Sequence, residues 1–157
     1  MKKKKKDLPL RNGVGIVVLN KKNQIFLAKR IDNPKNFWQM PQGGIDHGEE
    51  FFEAAIRELE EETSIKTVSL IKELDGLTTY LLPDHLVGII WKGKYKGQKQ
   101  KWFVVRFDGE ENEININTKN PEFLDWKWVN IDNLTDEVVN FKIHVYKEIQ
   151  RELYKII

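Results

Sequence analysis

Cysteine is absent from the 157 residues, which excludes disulfide frameworks, thiolate zinc sites and cysteine nucleophiles. No apolar run approaches the ~20 residues needed to cross a bilayer. The longest candidates, Val14–Leu19 and Leu86–Trp91, have only strand length, so no membrane partner is expected. Internal repeats, low-complexity linkers and composition breaks are also lacking, which leaves one domain with a single adequate core. Histidine is sparse, and His47, His85 and His144 have no partners at metal-ligand or triad spacing. The opening MKKKKKD has no apolar segment behind it; it is not expected to be a secretory signal, and a cytoplasmic location is the expectation. Strong net charge is missing too. Lys2 to Lys6 outweigh the formal excess of +2, so the remainder of the chain is mildly acidic. Residues 1–10 are expected to be a disordered lysine-rich tail that holds RNA loosely at most, with the domain spanning 11–157.

What is present concentrates in Gly43 to Ile65, GGIDHGEEFFEAAIRELEEETSI. Glu58, Glu61 and Glu62 fall at i, i+3 and i+4, so on a helix they share one face within an arc of about 100°. Like charges at this spacing repel unless a cation lies between them. Oxygen clusters of this kind suit hard divalent cations such as Mg²⁺ or Mn²⁺. An acidic run is more often a solvated face. Here the acids adjoin an apolar stripe of Phe52, Ala55, Ile56 and Leu59 and follow a Gly-Gly turn, whereas Glu53 and Glu60 fall on the far side. A metal site on a helix is therefore the stronger reading.

The pattern Gly43-x5-Glu49-x7-Arg57-Glu58-Leu59-x-Glu61-Glu62-x-Ser64-Ile65 resembles the Nudix box, the signature of hydrolases that cleave nucleoside diphosphates linked to another moiety. Every fixed position matches except Ser64, where the family usually has glycine. A residue just past a helix end often adopts a left-handed conformation, and serine there costs about 1 kcal/mol. The resemblance implies that Glu58, Glu61 and Glu62, with the Gly43 carbonyl, hold the divalent metal, Mg²⁺ or a substitute such as Mn²⁺. It makes Gly44, Glu49 and Arg57 structural residues of the box, with Arg57 pairing Glu49.

Val14–Leu19 and Gln24–Lys29 read as a hairpin around the turn Asn20-Lys21-Lys22-Asn23. Further strands are predicted at Lys66–Leu74, Thr78–Leu82, Leu86–Trp91, Lys101–Asp108 and Leu124–Val129. Phe141, Val145, Ile149 and Leu153 recur every four residues, which predicts a terminal amphipathic helix. Asp132 is the expected N-cap of a short helix before it. Together these give an α/β single domain with a mixed sheet, in agreement with the α/β/α sandwich that the resemblance implies.

Segments outside the box narrow the resemblance. Trp38 to Gly44, Tyr80 to Pro83, Gly97 to Phe103, Pro121 to Phe123 with Trp126 to Val129, and Val138 to Lys142 are similar to one subgroup, the bacterial RNA pyrophosphohydrolases or (di)nucleoside polyphosphate hydrolases. By that similarity Arg11 and Arg30 contact substrate phosphates, and Tyr80, Lys99 and Lys101 lie in matched substrate-binding segments. Val139, Phe141 and Lys142 form the first-base pocket, and Glu122 is a further metal-binding or base carboxylate. Independently, Lys92, Lys94, Lys96, Lys99 and Lys101 interleave with Trp91, Tyr95 and Trp102; lysines offer point charges to phosphate and rings can stack bases. A solvated hairpin guarded by lysines is the bland alternative.

The implied reaction is metal-assisted hydrolysis at the 5′ triphosphate of RNA, which releases pyrophosphate and leaves a 5′-monophosphate that promotes mRNA decay. Hydrolysis of dinucleoside polyphosphates such as diadenosine tetraphosphate stays open, because both substrates present a nucleoside on a polyphosphate. A non-catalytic nucleotide- or RNA-binding module is the alternative of another class, though the full carboxylate set argues against it.

Overall fold

In the computed structural model, which describes residues 4–32 and 35–157, eight strands form one mixed sheet between two helices. The strands are β1 (Leu10–Leu19), β2 (Ile25–Arg30), β3 (Trp38–Gln39), β4 (Gln42–Gly44), β5 (Val68–Glu73), β6 (Thr78–Leu81), β7 (Gly97–Phe107) and β8 (Phe123–Val129). The central path runs β3-β2-β1-β7-β5; β4 also pairs with β1, β6 with β7, and β8 with β2. Among the described residues only the long β1–β7 ladder, from Leu10↔Gly97 to Leu19↔Arg106, is parallel; the other pairings are antiparallel.

Both faces of the central strands are buried, which explains the near-continuous apolar runs of β1 and β7. One face packs with α1 (Phe51–Thr63) through Ala54, Ala55 and Leu59. The other packs with α2 (Ile143–Ile156) through Val145, Tyr146, Ile149 and Leu153. No helix among the described residues is long and apolar enough to cross a membrane.

Several sequence expectations need correction. Leu86–Trp91 is not a strand; it forms turns leading into a short 3-10 segment at Ile90–Gly93, where Trp91 and Lys92 have positive φ. An apolar run that packs over the edge of a core is indistinguishable from a strand by composition. Asp132 does not cap a helix. It lies within the 3-10 turn Ile131–Asn133, behind Asn130, and accepts a hydrogen bond from Tyr154. Phe141 stands in a separate 3-10 turn (Asn140–Lys142) before α2 begins, and Tyr146 extends the buried stripe. Of the expected tail, residues 1–3 lie outside the described ones. Lys5–Asp7 forms a 3-10 turn, Leu8 is buried and Leu10 already belongs to β1, because Leu8 offers an apolar anchor behind the lysines.

Candidate functional site

The box loop and α1 are joined by one cation. Arg57 donates from Nε and Nη2 to the two oxygens of Glu49 at 2.8 and 2.9 Å, a two-pronged pair suited to a planar guanidinium. Its Nη2 also donates to the Gly44 carbonyl at 3.0 Å, and its Nη1 to Glu58 at 2.9 Å and Glu61 at 3.2 Å. Arg57 holds the Glu49 carboxyl down to about 2. The loop is thereby tied to the helix one turn before its acidic end.

Glu62 departs from the picture of a solvated acidic arc. It belongs to the buried side of α1 and is only 5% exposed. The Gln42 backbone N–H is hydrogen-bonded to it, while its Oε2 has no partner among the described residues. Burial raises its pKa well above the carboxylate range, and the charges of Glu122 and Glu58 push the same way against Arg30. Glu58 is likewise raised, first by burial, with Arg57 opposing. β4 pairs Gly43 with Val14 and sets its backbone hard against Glu58: a Cβ on Gly43 would stand 2.0 Å from the Glu58 carboxyl carbon. Only glycine lets the carboxylate sit there.

Glu122 arrives from the other side of the sheet edge. A bulge between Lys29 and Arg30 sets Arg30 opposite Phe123, and the Ile31 N–H donates to the Glu122 carbonyl at 2.9 Å. The Arg30 guanidinium binds both Asp32 oxygens at 2.9 Å and stands 3.9 Å from the Glu122 carboxylate. Glu58, Glu61, Glu62 and Glu122 line one open cleft of about 730 Å³, whose rim includes Lys66, Lys119 and Glu60. Glu60 thus borders the cleft, where the sequence reading turned it away.

A divalent ion would suit this donor set. The two buried side-chain oxygens without partners among the described residues, Glu62 Oε2 and Thr118 Oγ1, both belong to residues of the cleft. Buried carboxylates that repel one another gain most from a hard cation. Among the described residues, no three acidic or histidine side chains are gathered in ligating geometry; Arg57 draws Glu58 and Glu61 toward itself.

A buried polar network adjoins the cleft through Gln42. Its side chain accepts from Gln100 Nε2 at 2.8 Å and is hydrogen-bonded to Tyr80. Tyr80 accepts from Gln98 Nε2 at 3.0 Å, and Gln98 accepts from Arg11 Nη1 at 2.7 Å. Burial pushes the Tyr80 hydroxyl up to about 12. Phe141 packs on Tyr80 with ring centroids 5.7 Å apart, and the Lys142 ammonium lies 5.2 Å from that ring's centre. Lys142 is buried, and desolvation, helped by Arg30 and opposed by Glu62, lowers it to about 8. Val139 is half-buried beside it, its carbonyl accepting the Lys142 N–H.

The structure therefore brings together Arg11, Tyr80, Phe141 and Lys142, and places Arg30 near both Lys142 and Glu122. It does not bring Lys99 and Lys101 there. Side chains alternate along β7, so Gln98 and Gln100 face Tyr80 while both lysines point to the opposite face, where Lys101 approaches Glu73 and the Gly76 carbonyl. Sequence reasoning missed Gln42, Gln98, Gln100 and Lys119. Within the polar run Gln98 to Lys101 only the two glutamines are uncharged, which was the one available signal; Lys119 carried none.

Comparison with known proteins fits this architecture. A model described as the NUDIX domain matches residues 9–149. A protein of Pelagibacter ubique named RNA pyrophosphohydrolase is 65% identical over 157 residues, covering 100% of this chain and 99% of its own. One of the same name from Rhodospirillum rubrum is 47% identical over 93% of this chain and 88% of its own. Among solved structures, the E. coli dihydroneopterin triphosphate pyrophosphohydrolase superposes with a TM-score of 0.71 at 20% identity, covering 93% of this chain and 99% of that one. With the box, the sandwich and a family model that spans most of its length, the chain belongs to the Nudix family of hydrolases.

Proposed function

We propose that the protein removes pyrophosphate from the triphosphorylated 5′ end of RNA, leaving a 5′-monophosphate that promotes mRNA decay in the cytoplasm. The observation that carries the chemistry is the buried Glu62 oxygen, without a partner among the described residues, set among acids and faced by cations in the same region. The relatives named RNA pyrophosphohydrolase, aligned along essentially the whole chain, support the substrate.

Hydrolases of this family generally use divalent metal ions. We assign Mg²⁺, replaceable by Mn²⁺, to Glu58, Glu61, Glu62, Glu122 and the Gly43 carbonyl. Bound there, the ion would lower the pKa of water and neutralise charge on the phosphates. The chain's own residues do the rest. Arg30, when it exchanges Asp32 for phosphate, offers a planar fork, and Lys142 a point charge in a dry setting. Arg11 stands beside Gly44, with Gln98 fixing its guanidinium. Phe141 and Val139 flank the first base. Water forms the new P–O bond, the anhydride P–O bond breaks, and pyrophosphate leaves. The fourth carboxylate, Glu122, serves as a further ligand or takes the proton.

The test compares pyrophosphate release from triphosphorylated RNA with hydrolysis of diadenosine tetraphosphate, both with Mg²⁺. Faster turnover of RNA supports the reading. Preference for the free dinucleotide makes this a nucleotide-pool hydrolase, and inactivity on both indicates a binding module. Glu61→Gln should abolish turnover, while Glu53→Gln, exposed on the other side of α1, should be silent.

A further inference from the structure

Two lysine-rich segments far apart in sequence meet in the fold. Lys5 Nζ donates to the Leu82 carbonyl at 2.6 Å and pairs with Asp84 at 3.0 Å. The Lys96 N–H donates to the Pro9 carbonyl at 3.1 Å, and its Nζ to the Lys6 carbonyl at 3.4 Å. Lys4, Lys5 and Lys6 are thus stitched to the loop that carries Lys92, Lys94 and Lys96. Among the described residues only Lys5 of this set has a carboxylate partner; Lys4, Lys6, Lys92 and Lys94 are exposed. Gathered like charges repel, and a polyanion relieves them.

This patch is connected to the box. A Cβ on Gly44 would lie 2.5 Å from Arg11 Nη2, so Arg11 rests directly on the box loop. The Arg11 guanidinium also covers the Trp91 ring, 5.2 Å from its centre, with Tyr95 edge-on to that ring at 6.2 Å. Trp91 and Lys92 both hold left-handed backbone (φ 52° and 57°), which costs non-glycine residues about 1–3 kcal/mol each. Such strain persists only where surrounding contacts over-determine it. Here the Arg11 and Tyr95 contacts hold it, and it sets Lys92 next to the stacked ring.

We propose that Lys4–Lys6 together with Lys92, Lys94 and Lys96 form a track for the phosphate backbone of single-stranded RNA downstream of the reacting end, with Trp91 at its head. This rests on the RNA reading above and sharpens it. A dinucleoside polyphosphate has no phosphates beyond its reacting chain, whereas an RNA strand continues with one per nucleotide. The track thus favours RNA over free dinucleotides by binding, without touching the hydrolytic residues.

The experiment uses the full chain and the variant Lys6→Gln/Lys92→Gln/Lys94→Gln, whose exposed side chains leave thermal unfolding unchanged. KM and kcat are measured on a long 5′-triphosphorylated RNA and on the triphosphorylated dinucleotide with the same start. The expected result is a roughly tenfold higher KM for the long RNA, with its logarithmic salt dependence flattened by about 2, at ~0.7 per phosphate contact. The kcat and the dinucleotide KM stay unchanged. Equal shifts on both substrates, or none, overturn the track. Binding of the same RNA with a 5′ hydroxyl, read by fluorescence anisotropy, isolates the track from catalysis: variant and wild type binding alike would refute it, whatever the activity. Wild type that binds this RNA through the lysines yet fails to cleave the triphosphorylated form leaves the track standing and removes the RNA-hydrolysis reading. Lysine-dependent binding to phosphatidylglycerol vesicles, with RNA binding insensitive to the lysines, also overturns the proposal.

Discussion

Exchanging Glu62 for glutamine separates two effects that usually travel together. The side chain is 5% exposed, one oxygen lacks a partner among the described residues, and Glu58 and Glu122 add repulsion. An unpaired carboxylate in that setting costs the metal-free fold on the order of 1–3 kcal/mol, and a neutral amide of the same shape removes most of it. For a chain of this size, each kcal/mol moves Tm by about 2–4 °C. Glu62→Gln should therefore melt about 3–10 °C higher than wild type in chelator. With Mg²⁺ at 100 times its dissociation constant, wild type should gain about 2.7 kcal/mol of stability by linkage. The variant should gain little, so the order of stabilities narrows or reverses. Activity should fall roughly 10²–10³-fold, the scale of losing one preorganised charge-stabilising group. Differential scanning fluorimetry with and without Mg²⁺, alongside pyrophosphate release, reads all three. A variant that is less stable in chelator, or that keeps wild-type activity and metal stabilisation, refutes the assignment of the metal site.

Gly43→Ala should lower both activity and stability, the latter by about 1–3 kcal/mol, because its Cβ displaces the Glu58 carboxyl from 2.0 Å; kinetics and a denaturant titration check it. Ser64 holds a left-handed cap (φ 66°) while its hydroxyl donates to the Asn115 carbonyl at 2.8 Å. Ser64→Ala should then destabilise by about 1 kcal/mol, while in Ser64→Gly the relieved backbone should offset the lost bond to within about 0.5 kcal/mol. Lys142 titrates near 8 in the fold against 10.5 ordinarily. Between those values the unfolded chain binds more protons, so stability should rise with pH across that window by up to about 3 kcal/mol relative to Lys142→Met. Urea unfolding at several pH values measures the difference, and a flat difference would contradict the burial of this ammonium.

The clustering of the three α1 glutamates could be read from the chain because their relation is local. A helix period puts Glu58, Glu61 and Glu62 on one arc without knowledge of anything else. The Arg57–Glu49 pair, which the resemblance implied, is present in the structure. The run Leu86–Trp91 could not be read, because an apolar stretch folded over a sheet edge has the composition of a strand. The same limit applied to Lys99 and Lys101. The matched segments grouped them with Tyr80, but pleating sends alternate residues of β7 to opposite faces, and only pairing with β6 shows which face holds the network.

By itself the sequence determined the hydrolase family through its box pattern, and the acidic helix face and the terminal amphipathic helix through short-range periodicity; the α/β/α layering came with the family resemblance. Tertiary structure alone decided that Glu62 is buried rather than solvated. It also decided that Gln42 joins the carboxylates to Arg11 through Tyr80 and the buried Gln98 amide, and that amino-terminal lysines gather beside Lys92 and Lys96. Those relations depend on strands and loops separated by tens of residues, whose meeting is set by the packing of two apolar faces and by no local signal.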